Sequence, residues 1–406
     1  MSSYDFTTRI DREGKGSSKW MLMHEQATKP LPEGIVPLSV ADMEFFIAPE
    51  ISRVLHNALD TTVLGYARPT DAYYDAVIAW QATQHDFSVK REWICTSPGV
   101  VPAFHAAIRV LTEPGDGVII QQPVYYPFMN AITSNGRRIV NNALINDREA
   151  LHYSIDFDDL EKKAADPQNK VLLLCSPHNP VGRVWTKEEL RRMCDICFAH
   201  DVFIIADEIH NDIVMPGHEH TTLFILLDED EKQHALVCTS PSKTFNLAGF
   251  QVSNIFIPNA EVRANFEQQF TQMGFGALNA LGYLACRTAY EAGRPWFKEL
   301  LACIEHNYQV ISSLLANHLP ELKVYPLEGT YLMWIDFGVW GLAQDELERF
   351  LHEEAFLFFD EGYIFGEEGS GFERVNLAAP TQILVEAFTR LIDAKKTFVL
   401  NEVNYS

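Results

Sequence analysis

The stretch Ser240-Pro241-Ser242-Lys243-Thr244-Phe245-Asn246-Leu247-Ala248-Gly249-Phe250 sets one lysine among hydroxyls and small residues, directly after the apolar run Ala235 to Thr239. An amine at the end of a buried strand can condense with a carbonyl, and neighbouring serine hydroxyls can hold a phosphate. A solvated turn can carry the same Ser-Lys pair, so the surrounding segments decide. Upstream, Val202-Phe203-Ile204-Ile205-Ala206-Asp207-Glu208-Ile209-His210 is a continuous apolar run that ends in acid, as a buried parallel strand does where it meets a site. Asp207 then stands at the carboxyl end of that strand, where open α/β sheets place their ligands.

Lys170 to Cys175 reads as another buried strand, running into Ser176-Pro177-His178-Asn179-Pro180-Val181-Gly182. Two prolines and a glycine force an irregular loop there and leave Asn179 to hydrogen-bond a ligand rather than a ladder. A further segment, Ser97-Pro98-Gly99-Val100-Val101, precedes apolar residues at helical spacing from Pro102 to Leu111. A glycine turn that opens a helix presents free backbone N–H groups to an anion, and the helix dipole adds to the attraction. An ordinary strand-to-helix turn has the same form.

These residues need a scaffold. With 406 residues, 47% of them hydrophobic, the chain can bury one large core and a smaller one. Alternating strand and helix signals between about residues 90 and 258 predict a mainly parallel sheet covered on both faces. Beyond it the pattern turns helical, with amphipathic stretches from Trp296 to Leu319 and from Thr381 to Lys395.

The ordered set SPGVV, PVYYPF, SPHNPVG, DEIHND, SPSKTFNLAG and FERVNLAAP resembles the fold-type I pyridoxal-phosphate enzymes of the aminotransferase class I/II superfamily. Within it, the chain is most similar to the MalY/PatB-type cystathionine beta-lyases, also called carbon-sulfur lyases, from about Ser18 to Lys395. The resemblance implies an α/β fold: a large domain with a mainly parallel seven-stranded sheet, plus a smaller α/β domain. Residues 1–47 would join the small domain, 48–290 would bind the cofactor, and 291–406 would complete the small domain.

The resemblance also implies roles. Lys243 would hold pyridoxal 5'-phosphate covalently and then remove the substrate Cα proton, while Asp207 keeps the pyridine nitrogen protonated. Asn179 would bond the ring hydroxyl oxygen and Tyr125 would stack on the ring. Gly99, the Val100 and Val101 amides, and the Ser240 and Ser242 hydroxyls would bind the phosphate. Tyr66, in Leu64-Gly65-Tyr66-Ala67-Arg68, would reach the phosphate of a partner subunit, making the protein a homodimer with sites at its interface. Arg374 would clamp the substrate carboxylate through its planar fork. Tyr126, beside Tyr125, either donates a proton to a leaving sulfur or lines the wall.

Elimination rather than transamination is indicated by His210, which stands where aminotransferases commonly carry a tyrosine. Ser17-Ser18-Lys19-Trp20, Ala41-Asp42-Met43-Glu44-Phe45 and the Tyr125-Tyr126 pair resemble the lyase pattern too. The expected substrate is a small sulfur-containing amino acid such as cystathionine or cysteine, giving a thiol or hydrogen sulfide, pyruvate and ammonia. An aminotransferase, and a regulatory protein that keeps the cofactor but acts through a protein partner, are the rival readings. The chain departs from the lyase pattern at Met21 and Glu361, and Gln251 stands where many aminotransferases carry a phosphate-binding arginine.

A formal charge of −23 argues against nucleic acid as a partner, because phosphate binding needs excess Lys and Arg. Seven scattered cysteines fit a reducing compartment better than a disulfide framework. Cys194 and Cys197 fall on an amphipathic helical pattern, and no second ligand pair accompanies them, so no metal is expected. The amino terminus is polar and no apolar run approaches ~20 residues, which predicts a cytoplasmic protein without a membrane span.

Overall fold

The computed structural model describes residues 4–405, and side chains for residues 4–397. The strands in chain order are β1 (Ile94–Ser97), β2 (Gly117–Ile120), β3 (Arg138–Asn141), β4 (Ile145–Asp147), β5 (His152–Ser154), β6 (Asn169–Cys175), β7 (Phe203–Asp207), β8 (Ala235–Thr239), β9 (Ser253–Phe256), β10 (Lys323–Val324), β11 (Leu332–Asp336), β12 (Asp360–Glu361) and β13 (Phe372–Asn376). Seven of them form one sheet in the order β1-β9-β8-β7-β6-β2-β3. Every pairing from β8 to β3 is parallel, whereas β9 runs antiparallel to both of its neighbours. The expected α/β fold with a mainly parallel seven-stranded sheet is therefore present.

The continuous apolar runs become central strands because both faces are covered. Leu173 on β6, Ile205 on β7 and Leu236 on β8 pack on one side with the helix Val100–Leu111, whose Ala103, Phe104, Ala106, Ala107 and Ile108 are fully buried. Leu172, Ile204 and Val237 pack on the other side, in a core that includes Cys194 and Cys197 of the helix Lys187–Ala199. Fully burying a side chain of this size contributes about 1.5–3 kcal/mol. Both cysteines are free and buried, so their helical spacing serves packing, as the sequence predicts.

β10, β11, β13 and β12 form a second, antiparallel sheet in that order, backed by the long helices Arg294–His318 and Thr381–Tyr405. The amino-terminal segment is stitched to it by backbone bonds: Leu38 N to Phe358 O at 2.9 Å, Asn376 N to Leu38 O at 2.8 Å and Glu44 N to Ala378 O at 2.8 Å. These bonds carry residues 40–42 across to the carboxyl ends of β6, β7 and β8. Among the described residues no helix is long and apolar enough to cross a membrane.

Candidate active site

β6, β7 and β8 all end at one cavity of about 230 Å³, and each strand brings a different functional group to its wall. β6 leads into the loop that carries Asn179, β7 ends on Asp207, and β8 leads through Ser240 into the short helix Pro241–Thr244 that carries Lys243. Ser240 caps that helix by accepting the Ser242 N–H at 3.1 Å, and its hydroxyl donates to the Val252 carbonyl at 2.7 Å. Such a cap stabilises a helix start by about 1 kcal/mol and here also fixes where Lys243 leaves the chain.

Burial sets the electrostatics. It drives the Asp207 carboxyl up to about 7, against the Ile209 N–H donated at 3.1 Å and the positive charge of Lys243. It also pulls the Lys243 amine down to about 8, with Asp42 opposing that shift and Arg374 adding to it. Lys243 Nζ donates to the Ala41 carbonyl at 2.6 Å, and the same oxygen accepts the Tyr331 hydroxyl at 2.8 Å. His210 lies edge-on to Tyr331 with ring centroids 5.8 Å apart. Burial, then Lys243 and Arg374, push the imidazole well below its ordinary value, so it is neutral, and its buried Nδ1 has no partner among the described residues.

The opposite wall is the start of the helix Val100–Leu111. Gly99 adopts φ +134°, a region that L side chains rarely enter, and it turns the chain into the helix whose first residues, Val100 and Val101, line the cavity. Ser242 and Gln251 line the same cavity. Amides at a helix amino end and a nearby hydroxyl form a donor set for a phosphate. A buried carboxylate suits a cationic heterocycle, and an amine of lowered basicity suits an aldehyde. The residues present therefore fit pyridoxal phosphate.

Of the residues singled out from the sequence, Gly99, Val100, Val101, Tyr125, Asn179, Asp207, His210, Ser242 and Lys243 line this one cavity. Ser240 stands behind Ser242, joined to it by a 2.8 Å hydroxyl pair. Arg374 is buried on β13 and reaches the cavity through Asn179, whose Oδ1 accepts Arg374 Nη1 at 2.8 Å. Asn179 is thus less free than the loop sequence suggests: its carbonyl oxygen already accepts from Arg374, which leaves its amide nitrogen as the donor toward a ligand. Tyr126 lies outside the cavity wall, 37% exposed, its ring 5.6 Å from that of Tyr125. Tyr66 does not join the cluster; its side chain is fully exposed.

Sequence reasoning missed Ile209 and the Ala41 carbonyl in the cavity wall, and Tyr331 and Asp360 behind it. A backbone carbonyl has no residue signature. The Ala41-Asp42 motif marks the segment without showing what it does. Asp42 is held down at about 2 despite burial, because Lys19 and Arg12 pair with it at 2.9 Å each. The buried Lys19 also donates to the Asp42 carbonyl at 3.0 Å, which fixes the segment under Lys243.

The profile of the aminotransferase class I and II family matches residues 33–392. The chain is 38% identical to Cystathionine beta-lyase PatB of Bacillus subtilis, over 95% of this chain and 98% of that one. It is 31% identical to Protein MalY of Escherichia coli, over 96% and 98%. The crystal structure of cystalysin from Treponema denticola, which contains a pyridoxal 5'-phosphate cofactor, superimposes with a TM-score of 0.95 at 44% identity, covering 97% of this chain and 99% of that one.

Proposed function

The chain belongs to the aminotransferase class I and II family, and from that premise we propose that it is a pyridoxal-phosphate-dependent carbon-sulfur β-lyase of fold type I, acting on cystathionine or cysteine-like amino acids. One observation carries the reading: an amine drawn down to about 8 and a carboxyl raised to about 7 face the same cavity, beside a helix amino end that can take a phosphate. The full-length likeness to Cystathionine beta-lyase PatB supports elimination as the outcome, and the likeness to cystalysin supports the cofactor.

When bound, pyridoxal phosphate supplies an electron sink for the charge left at the substrate Cα. The chain's own residues do the rest. Arg374 takes the substrate carboxylate, and Lys243 Nζ removes the Cα proton. Asp207, ionised beside a ring cation, holds the proton on the pyridine nitrogen. His210, which is neutral, and the Asn179 amide nitrogen would hold the ring substituents, and Tyr125 would pack against the ring. Val100, Val101 and Ser242 secure the phosphate, with Ser240 holding Ser242 in place from behind and Gln251 contributing an uncharged amide. The Cα–H and Cβ–S bonds break, the thiolate leaves past Tyr126, and the released enamine hydrolyses to pyruvate and ammonia.

On this reading residues 48–290 carry the cofactor, and residues 1–47 with 291–406 close over the substrate. A second copy completes the site through Tyr66, whose full exposure beside exposed Val63 and Leu64 favours burial against another chain. Seven free cysteines and the absence of a spanning helix among the described residues favour the cytoplasm. The test is pyruvate release from L-cystathionine by the loaded protein: wild type should release it and Lys243→Ala should not. A fully active Lys243→Ala would defeat the proposal.

A further inference from the structure

The substrate clamp contains a carboxylate that no motif marked. Asp360 on β12 stands directly across from Arg374 on β13 in antiparallel register, and both are buried. Asp360 Oδ2 accepts Arg374 Nε at 3.1 Å and Nη2 at 2.7 Å, while Asn179 Oδ1 accepts Nη1 at 2.8 Å. The guanidinium also lies over the Phe365 ring, 4.6 Å from its centroid. A guanidinium carries five N–H donors in one rigid plane. These three bonds leave one N–H on each terminal nitrogen, the pair that a carboxylate matches in bidentate fashion.

The same Asp360 carboxylate accepts the Val40 N–H, at 3.0 Å to Oδ2 and 3.2 Å to Oδ1. Val40 opens the segment whose Ala41 carbonyl receives both the Lys243 amine and the Tyr331 hydroxyl. One side chain therefore touches the cation that takes the substrate carboxylate and the segment that touches the amine working at Cα. An arginine stem has several rotatable bonds, so its aim has to be imposed from outside. An anion this close also cancels much of the guanidinium's long-range field, which leaves geometry as the main source of preference for a carboxylate.

We propose that Asp360 is the positioning residue of the clamp: it holds the Arg374 guanidinium by one edge and ties it to the Val40–Asp42 segment. A substrate gripped by its α-carboxylate thereby presents its Cα to Lys243. The inference rests on Arg374 being the carboxylate site.

The experiment measures dissociation constants of the pyridoxal-phosphate-loaded protein for L-alanine, which has the carboxylate and no leaving group, and for ethylamine, which lacks the carboxylate. Cofactor absorbance gives the readout, so no turnover is needed. Asp360→Asn keeps the shape but sets an amide against the Val40 N–H, and should lower the preference for alanine over ethylamine about tenfold; Asp360→Ala should lower it about 100-fold. Ethylamine affinity should stay near wild type in both. Asp360→Ala strips a buried cation of its partner and is the variant more at risk of misfolding, so Asp360→Asn decides. An unchanged preference in Asp360→Asn, or an equal loss of both ligands, overturns the assignment. Arg374→Ala separates the two levels: if it abolishes the preference while Asp360→Asn does not, Asp360 falls and the clamp stands. If Arg374→Ala keeps the preference, the clamp falls and Asp360 with it.

Discussion

Lys243 and Asp207 gain their chemistry from where they are held. Each sits where its charge is poorly solvated, so the amine titrates at about 8, within reach of physiological pH, and the carboxyl stays ready to pair with a cationic ring. Only the neutral amine attacks an aldehyde, so the rate at which unloaded protein takes up pyridoxal phosphate should climb as pH rises through about 8. Stopped-flow absorbance reads that rate, and a profile without an inflection near 8 counts against the environment described for Lys243. Asp207→Asn should keep the cofactor bound but lower kcat by roughly 100-fold or more, because an amide cannot hold a proton on the ring nitrogen. Lys243, Asp207, Asn179 and His210 were legible in the sequence, each standing at or just past the end of a buried strand. The Ala41 carbonyl and Tyr331 were not: the first contacts Lys243 from 202 residues away, and no local pattern encodes such a meeting.

At the scale of elements, β12 and β13 show one ladder serving two purposes. Asp360 and Arg374 pair toward the site, while their neighbours Glu361 and Glu373 are also directly opposed in register, on the other face. Burial raises both carboxyls, Glu361 to about 7 and Glu373 well above its ordinary range, and the nearby Glu348 and Asp360 push each of them further up. His352 and Gln26 face Glu361 at 3.7 Å and 3.1 Å; burial keeps His352 down at about 4, so it gives no countercharge. A raised carboxyl favours the folded state fully below its ordinary value and loses that contribution as pH climbs through its folded value. Stability should therefore decline between about pH 5 and 7, and Glu361→Gln should flatten the decline and raise Tm at pH 8. A wild-type-like Tm profile in Glu361→Gln would contradict the buried acid pair. The continuous apolar runs of β6, β7 and β8 were readable within about a residue, because strands buried on both faces need no polar alternation. β12, two residues long, was not readable, since its place is fixed by its partner strand rather than by its own sequence.

For the whole molecule, the parallel sheet presents strand ends, the second sheet brings the arginine, and the amino-terminal segment ties the two together through Asp360 and Ala41. Tyr66 is the residue this single chain does not account for. If it serves a neighbour's phosphate, then mixing inactive Lys243→Ala and Tyr66→Ala proteins under conditions of subunit exchange should restore about a quarter of wild-type activity, since half the dimers are hybrids and each has one intact site. No recovery would confine Tyr66 to its own chain. All of this chemistry depends on the covalent seat of the cofactor. Borohydride reduction of the loaded protein followed by peptide mapping should place a single pyridoxyl label on Lys243. A label on Lys19, the buried lysine nearby, or no label on any lysine, would contradict it.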